Sequence, residues 1–295
     1  MNIGWLASEQ NVVQLECRKT SSCTIRLHGG TISSWRVNER EQIFVSQTTK
    51  YNWTSPINGG IYVVFPQFKT PKGYDNDFTK MLPWTLISGP DVVEGGDMEA
   101  EIQLKSDVYC MSRFKHPFSI TTYIRLMESE LFVLTEIHNP ADDFFKFNFS
   151  IRAFLKVPLK HSLIEGLNGV NFLDIINNTY GKVVGHFKTS EKLEVLFRRK
   201  RCNHVHLVRG HKFTHVLRIR NINLPSMVIW NEEANNQPRE FFIAANERRQ
   251  MMCYEPSFVK PMTLKPHSAI RTGLYFSLVE VAKEKETKEN DVNKK

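Results

Sequence analysis

The sequence consists of many short segments rich in β-branched and aromatic residues, separated by turn-forming residues, and this pattern limits the fold more than any other feature. Gly29-Gly30, Gly59-Gly60, Gly95-Gly96 and Asn139-Pro140 mark four of the turns. Many short strands with few helices favour an all-β fold, either a large sandwich or a barrel. Strands are predicted at residues 24–28, 42–46, 61–65, 101–104, 120–126, 131–137, 144–155, 183–187, 205–208, 227–230, 251–254 and 274–279.

Helices are scarce in the sequence, and the best short candidate, residues 238–249, could equally be loop in part. No repeat or linker divides the chain, and its 20 Phe residues can fill a sizeable core. We therefore expect one β-sandwich domain over residues 1–282. Residues 283–295 are nearly all charged or polar and cannot offset the entropy of ordering, so we expect a disordered tail.

The sequence shows neither a secretory signal nor a run of about 20 apolar residues that could span a membrane. Its cysteines are five in number and lack metal-type spacing, which is typical of reduced thiols. We therefore expect a cytoplasmic protein that is a monomer, with no membrane contact and no cofactor. His204 and His206 share one strand face, but a zinc site would need at least one further convergent ligand.

A basic stripe runs from Arg198 to Arg220. It contains eight Lys or Arg residues, four His residues and no acid, in a chain with a net charge of +8. Such a stripe can bind a polyanion or an acidic protein surface. Alternatively, two basic strands present one solvated face, since Val205, Leu207 and Ile219 supply apolar residues in partial alternation. Nucleic acid is a weak candidate because no aromatic-interleaved binding motif is present.

Four blocks in the first third of the chain carry a family resemblance. Gly29-Gly-Thr-Ile-Ser-Ser-Trp35 is followed by Gln42-Ile-Phe-Val-Ser46. Ser55-Pro-Ile-Asn-Gly-Gly-Ile-Tyr-Val-Val-Phe-Pro-Gln-Phe68 is similar to Pro-Ile-Arg-Gly-Gly-Ile-Pro-x-x-Phe-Pro-Gln-Phe-Gly of the glucose-6-phosphate 1-epimerases, the hexose-6-phosphate mutarotases. Asp75-Asn-Asp-Phe-Thr-Lys-Met-Leu-Pro-Trp84 then stands where that family reads Gln-His-Gly-Phe-Ala-Arg-x-x-x-Trp.

Four later blocks follow in the family's order. Phe147-Asn-Phe-Ser-Ile-Arg-Ala-Phe-Leu-Lys-Val157 resembles the strand with Ala-Leu-His-Thr-Tyr-Phe, and Ile164-Glu-Gly-Leu-Asn-Gly169 resembles Val-x-Gly-Leu-x-Gly. Val228-Ile-Trp-Asn231 resembles Val-Val-Trp-Asn, and Met252-Cys-Tyr-Glu-Pro256 resembles Val-Cys-Val-Glu. The ordered set is more specific than any one block. The resemblance implies an all-β fold, a large antiparallel β-sandwich of the galactose mutarotase-like supersandwich type with few short helices.

The resemblance also implies a reaction, the interconversion of the α and β anomers of hexose 6-phosphates. In this family a glutamate takes the proton of the C1 hydroxyl while a histidine protonates the ring oxygen. The glutamate corresponds to Glu255; its alternative role is that of an exposed acid at a strand end or of a partner for a nearby cation. The acid histidine corresponds to Arg152, which cannot exchange a proton near neutral pH, and a second family histidine corresponds to Asn76, which cannot titrate.

Substrate contacts have changed as well. Asn58 replaces the arginine before the Gly-Gly pair, Asp75 replaces a glutamine, and Lys80 replaces an arginine and loses the fork that suits phosphate. By a looser alignment, Glu194 stands at the position of the family's aspartate. The resemblance thus implies a pocket for a sugar phosphate or another small anion.

Two functions are compatible with these residues. The first is a mutarotase-like protein that retains a sugar pocket but has weak or no catalysis, unless His161, Tyr74 or Tyr254 replaces the missing acid. The alternative is a non-enzymatic interaction module that binds an acidic partner through the stripe at residues 198–220.

Overall fold

The computed structural model describes residues 11–66, 78–189, 192–198, 204–209, 215–231 and 243–280. Over these residues the strands form two antiparallel sheets of eleven and nine strands. The predicted tail at 283–295 lies outside the described residues. The prediction of a large antiparallel β-sandwich is confirmed.

Ten strands of the larger sheet lie in one continuous spatial order. The eleventh, β4 (Arg40–Glu41), pairs with the third strand outside that order. The ten strands in order are β1 (Val12–Cys17), β2 (Ser21–Arg26), β3 (Thr31–Val37), β5 (Ile61–Val64), β10 (Phe145–Lys156), β19 (Met251–Leu264), β18 (Ser226–Trp230), β15 (Glu194–Arg198), β12 (Asn171–Asp174) and β13 (Thr179–Lys182).

The smaller sheet packs against the larger one. Its strands in spatial order are β14 (Phe187–Lys188), β11 (Ser162–Glu165), β16 (His204–Arg209), β17 (His215–Ile222), β20 (Ala269–Glu280), β9 (Glu130–His138), β8 (Ser119–Leu126), β7 (Met98–Lys105) and β6 (Thr85–Val92).

Burial alternates from residue to residue along many of these strands. In β9, every second residue from Leu131 to Ile137 is buried, while the residues between them are half-buried. Successive side chains of a strand point to opposite faces, so one face of each sheet enters the shared core. Trp35 of the larger sheet and Phe276 of the smaller sheet meet there, with ring centroids 5.9 Å apart.

The central strand β10 departs from alternation, because all residues from Phe149 to Leu155 are buried. One of its faces enters the core between the sheets. The other faces a second apolar cluster on the outer side of the larger sheet, formed by Phe44, Tyr62, Val64, Phe154, Trp230, Ile243, Met251 and Cys253. The residues on this outer side of β10 are therefore buried instead of facing solvent.

Some local predictions were wrong. Residues 42–46 form isolated bridges, Ile43 with Leu155 and Val45 with Gly59, instead of a strand. The described part of the predicted helix at 238–249 is a turn that leads into a 3₁₀ turn at Arg248–Gln250. The α-helix found among the described residues, α1 (Val108–Phe114), was not predicted.

Other helical pieces among the described residues are 3₁₀ turns, at Thr79–Met81, Glu94–Gly96 and Leu159–His161. No helix in the described part of the chain has the length and apolar character needed to cross a membrane.

Candidate functional site

The larger sheet brings together three strands that carry predicted site residues, β10, β19 and β15, with β18 between β19 and β15. Ser150 pairs with Ser257 and Ala153 with Tyr254, so Arg152 lies opposite Glu255. Arg152 also pairs with Tyr62 of β5, and Glu255 pairs with Val228 of β18. Paired residues of neighbouring strands share a face, and Arg152 and Glu255 therefore lie side by side on this face.

Glu255 is held by three donors. Its Oε1 accepts hydrogen bonds from Ser150 Oγ at 2.7 Å and from Arg152 Nε at 2.9 Å. Its Oε2 accepts one from the indole Nε1 of Trp230 at 3.1 Å. The side chains of Arg152 and Glu255 are only 7% and 4% exposed. Both carboxylate oxygens are thus engaged, and the carboxylate and guanidinium form a buried ion pair.

The strand positions around Glu255 on this face supply no imidazole that could act as the acid. Across β5, β10, β19, β18 and β15, these positions carry Tyr62, Ser150, Arg152, Phe154, Cys253, Ser257, Val228, Trp230, Glu194 and Leu196. None of these residues is a histidine. An arginine stays protonated in proteins, so Arg152 can stabilise the carboxylate but cannot deliver a proton to a ring oxygen.

Glu194 lies on the same face. It pairs with Trp230, whose indole reaches Glu255, and it is 7% exposed. Two carboxylates therefore flank one tryptophan, although Glu255 has no polar contact with Glu194.

Asn58 and Lys80 lie on either side of β5 along the chain, and both are buried. The backbone of Asn58 is fixed, since its carbonyl accepts from Ser46 N at 2.8 Å and its N–H donates to Thr49 Oγ1 at 3.2 Å. Lys80 lies in the 3₁₀ turn whose Thr79 Oγ1 donates to the Val63 carbonyl at 2.7 Å. Neither residue forms a hydrogen bond or ion pair with Glu255.

A glycine makes the position of the Lys80 turn possible. Gly29 has φ of +68°, and a Cβ there would lie 2.4 Å from the carbonyl oxygen of Lys80. Any other residue would have to move that turn. The neighbouring His28 ring packs on Trp53 at 4.7 Å, and burial lowers the pKa of His28.

The remaining predicted site residues have different outcomes. Asp75, Asn76 and Tyr74 lie outside the described residues. Tyr254 points away from the site, because it neighbours Glu255 on the strand and its hydroxyl donates to Asn221 Oδ1 of β17 at 2.8 Å. His161 is exposed, in the turn between β10 and β11. Among the described candidates, neither Tyr254 nor His161 fits the role of a replacement acid.

Two contributors were missed by sequence reasoning, Ser150 and Trp230. Both lie in sequence blocks that resemble the family. Ser150 could have been recognised as a changed site residue, because the family strand has alanine at that position. The residues at positions 150 and 152 thus differ from the family together, and both of them donate to the same oxygen of Glu255.

A surface pocket of about 230 Å³ lies elsewhere, between β6 and the start of α1, lined by Leu82, Ile87, Leu104 and other residues. It contains none of the predicted site residues. Within the described ranges, no group of three or more His, Cys, Asp or Glu side chains converges as metal ligands would.

Comparison with known proteins places this geometry in a fold class. A "putative mutarotase" (YeaD) of Salmonella typhimurium superimposes with a TM-score of 0.77 at 14% identity, covering 93% of this chain and 92% of that one. Galactose 1-epimerase of Lactobacillus acidophilus superimposes with a TM-score of 0.68 at 13% identity, covering 91% and 94%. The fold is therefore the galactose mutarotase-like β-sandwich.

A relative found by sequence gives a more specific similarity than the fold does. A protein of Cenchrus ciliaris named "Putative glucose-6-phosphate 1-epimerase" is 24% identical over an alignment 284 residues long, which covers 90% of this chain and 84% of that protein. No protein-family model matches the chain. The resemblance to glucose-6-phosphate 1-epimerases read from the sequence blocks is confirmed by this relative.

Proposed function

We propose that this chain is an aldose-epimerase-like protein that binds a hexose 6-phosphate on the outer face of its larger sheet and does not catalyse anomer exchange. The fold and the Cenchrus ciliaris relative support the epimerase-like class. One observation carries the loss of catalysis: the Glu255 carboxylate is engaged by Ser150, Arg152 and Trp230.

Chemistry explains why this arrangement is unsuited to catalysis. Ring opening needs a base at the C1 hydroxyl and an acid at the ring oxygen, each within hydrogen-bond reach. Glu255 would have to exchange a buried ion pair for a substrate hydroxyl, and Arg152 cannot release a proton near neutral pH. Positioned acid–base catalysis contributes about 10²- to 10⁴-fold, and sugar anomers also exchange without a catalyst. Loss of both proton carriers therefore brings the rate to the background.

Phosphate recognition in this proposal depends on Lys80. The charge of Arg152 is already compensated by Glu255 at 2.9 Å, and Asn58 carries no charge. Lys80 is the other buried cation among the residues that replace the family's substrate contacts.

Exchange spectroscopy by NMR on glucose 6-phosphate tests the catalytic half of the proposal. The α/β exchange rate with wild-type protein should equal that with Glu255→Gln protein and with buffer. A rate well above background that disappears in Glu255→Gln protein would show that this site is catalytic.

Calorimetric titration tests the binding half. Glucose 6-phosphate should bind the wild type more tightly than glucose does, and Lys80→Met should remove that difference while leaving the affinity for glucose unchanged. If neither glucose 6-phosphate nor glucose binds, the sugar-binding proposal is refuted.

A further inference from the structure

The hairpin formed by β16 and β17 carries a compact group of basic residues on the outer face of the smaller sheet. His204 pairs with Arg220, and His206 pairs with Arg218. The alternate residues Val205, Leu207, Leu217 and Ile219 are buried at 1% exposure or less, so the basic residues point outward. His204, Arg218 and Arg220 are exposed and His206 is half-buried. We call these four residues the basic grid.

The sequence stripe from Arg198 to Arg220 is therefore two surfaces. Arg198 ends β15 of the larger sheet and pairs with Ser226 there, while the basic grid belongs to the smaller sheet. Residues 199–203 and 210–214 lie outside the described residues.

Two other arginines on the same sheet have carboxylate partners. Arg125 contacts Asp97 at 2.9 Å and Glu99 at 3.3 Å, and Arg271 contacts Glu136 at 2.7 Å. In contrast, no carboxylate of the described residues lies within 4.0 Å of Arg218 or Arg220. The guanidinium groups of Arg218 and Arg220, two residues apart on one face of β17, therefore lack a carboxylate partner among the described residues and can bind an anion.

The surroundings of the grid restrict the shape of the anion. Glu165 pairs with His206 on one side, and Glu130 lies on the other side, where it hydrogen bonds to Tyr275. Burial, and to a smaller extent this hydrogen bond with Glu130, raise the pKa of Tyr275 to about 12. A chain of phosphates that crossed the strands would meet both carboxylates, whereas a segment that follows β16 and β17 would meet neither.

An apolar row continues the grid along the same two strands. Leu163, Val208, Val216 and Val279 pair successively across β11, β16, β17 and β20. Leu163, Val216 and Val279 are half-buried, and Val208 is 7% exposed. A ligand that follows the hairpin thus meets cations and then apolar side chains.

Among the described residues, the aromatic ring that pairs with the grid does not offer an open face to nucleotide bases. This ring, that of Tyr275, is covered by the guanidinium of Arg220 at 5.2 Å from the ring centroid. Binding of single-stranded nucleic acid relies on exposed aromatic faces for stacking. Carboxylates with neighbouring apolar groups suit the surface better than phosphates with bases.

We infer that the basic grid and its apolar row form a docking surface for an extended acidic peptide segment of a partner protein, with carboxylates on Arg218 and Arg220 and an apolar side chain beside Val216. This surface is on the other sheet from Glu255, so the inference is independent of the proposed sugar site.

Fluorescence anisotropy with a labelled peptide of alternating glutamate and leucine tests the inference. Wild-type protein should bind it, and binding should weaken steeply as the salt concentration rises, because exposed charges are screened. Arg218→Ala/Arg220→Ala should bind about tenfold more weakly, as expected from the loss of two exposed ion pairs. Arg218→Lys/Arg220→Lys should retain most of the affinity.

The matched control is Lys105→Ala/Lys146→Ala, which removes the same charge from exposed strand positions outside the grid. It should bind like the wild type, and all variants should keep the wild-type melting temperature. Absence of binding by the wild type, an equal loss in the control variant, or tighter binding of a labelled oligothymidine through the same arginines would each overturn the inference.

Discussion

At the scale of residues, Glu255 lies in a buried ion pair at the position where the family resemblance implies a proton-transfer site. The family strand reads alanine and histidine where this chain has Ser150 and Arg152, and both replacements donate to Glu255 Oε1, at 2.7 and 2.9 Å. A histidine can exchange its proton near neutral pH, whereas a guanidinium only binds the anion. Under the proposed function, these two residues therefore replace the acid and occupy the base.

A double-mutant cycle tests whether the pair acts as a unit. Arg152→Met leaves a buried carboxylate without its cation and should lower the free energy of unfolding by about 3–5 kcal/mol. The double variant Arg152→Met/Glu255→Leu should be less destabilised than Arg152→Met, because it leaves no uncompensated charge.

Urea denaturation followed by circular dichroism measures these values. If the costs of the single substitutions simply add in the double variant, Arg152 and Glu255 are not coupled, and the ion pair does not define the site.

At the scale of elements, the sequence predicted strands where β-branched and aromatic residues are concentrated between turns. Residues 131–137 and 205–208 were predicted from that signal and lie inside β9 and β16. Residues 42–46 have strand-like composition but form only isolated bridges, because the chain there crosses from β4 toward the loop before β5 instead of pairing along its length. Composition reports compatibility with a strand, while pairing depends on the path of the chain.

The site could be predicted only in part for a related reason. Family blocks identified Glu255 and Arg152 as residues of one site, but their hydrogen bond depends on the register between β10 and β19. Trp230 reaches Glu255 from a third strand, and spacing along the chain cannot reveal such a contact. The roles of Asn58, Lys80 and Glu194 in ligand binding remain predictions.

Helix α1 was missed because it is short and lacks a long amphipathic pattern. Its local signal is Asp107, whose carboxylate accepts from Cys110 N at 2.8 Å, an N-cap that also lowers the pKa of Asp107. Lys115 ends the helix in the left-handed conformation, with φ of 61°. Isolated helices of this length are unstable, so the cap contributes a large share of local stability.

Removal of that cap gives an element-scale prediction. Asp107→Ala should lower the free energy of unfolding by about 1 kcal/mol, because the Cys110 N–H loses its acceptor. Asp107→Ser, which keeps an acceptor oxygen, should lose less. Chemical denaturation measures both, and an equal loss for alanine and serine would show that the carboxylate acts through something other than capping.

At the scale of the whole molecule, the strand that carries Glu255 also ties the two sheets together. Tyr254, its neighbour on β19, is 1% exposed and donates to Asn221 Oδ1 of β17 across the core. Arg209 of β16 donates to the Lys156 carbonyl of β10 at 3.0 Å, and burial lowers the pKa of Arg209 to about 10, so it stays protonated at neutral pH. The two sheets therefore share polar links as well as one apolar core.

Shared links of this kind predict that the sheets unfold together. Tyr254→Phe leaves the buried Asn221 side chain without its donor and should lower the free energy of unfolding by about 1–3 kcal/mol. Tyr180→Phe is the matched control. Tyr180 is 83% exposed, so removal of its hydroxyl should not measurably change the free energy of unfolding.

Far-ultraviolet circular dichroism and tryptophan fluorescence, recorded on the same denaturation series, distinguish cooperative from separate unfolding. Both signals should move to the same lower midpoint in Tyr254→Phe with an unchanged slope, because a single core couples the strands on either side of it. Two separated transitions in the wild type would show instead that each sheet is stable alone, and the Tyr254–Asn221 bond would then contribute to only one of them.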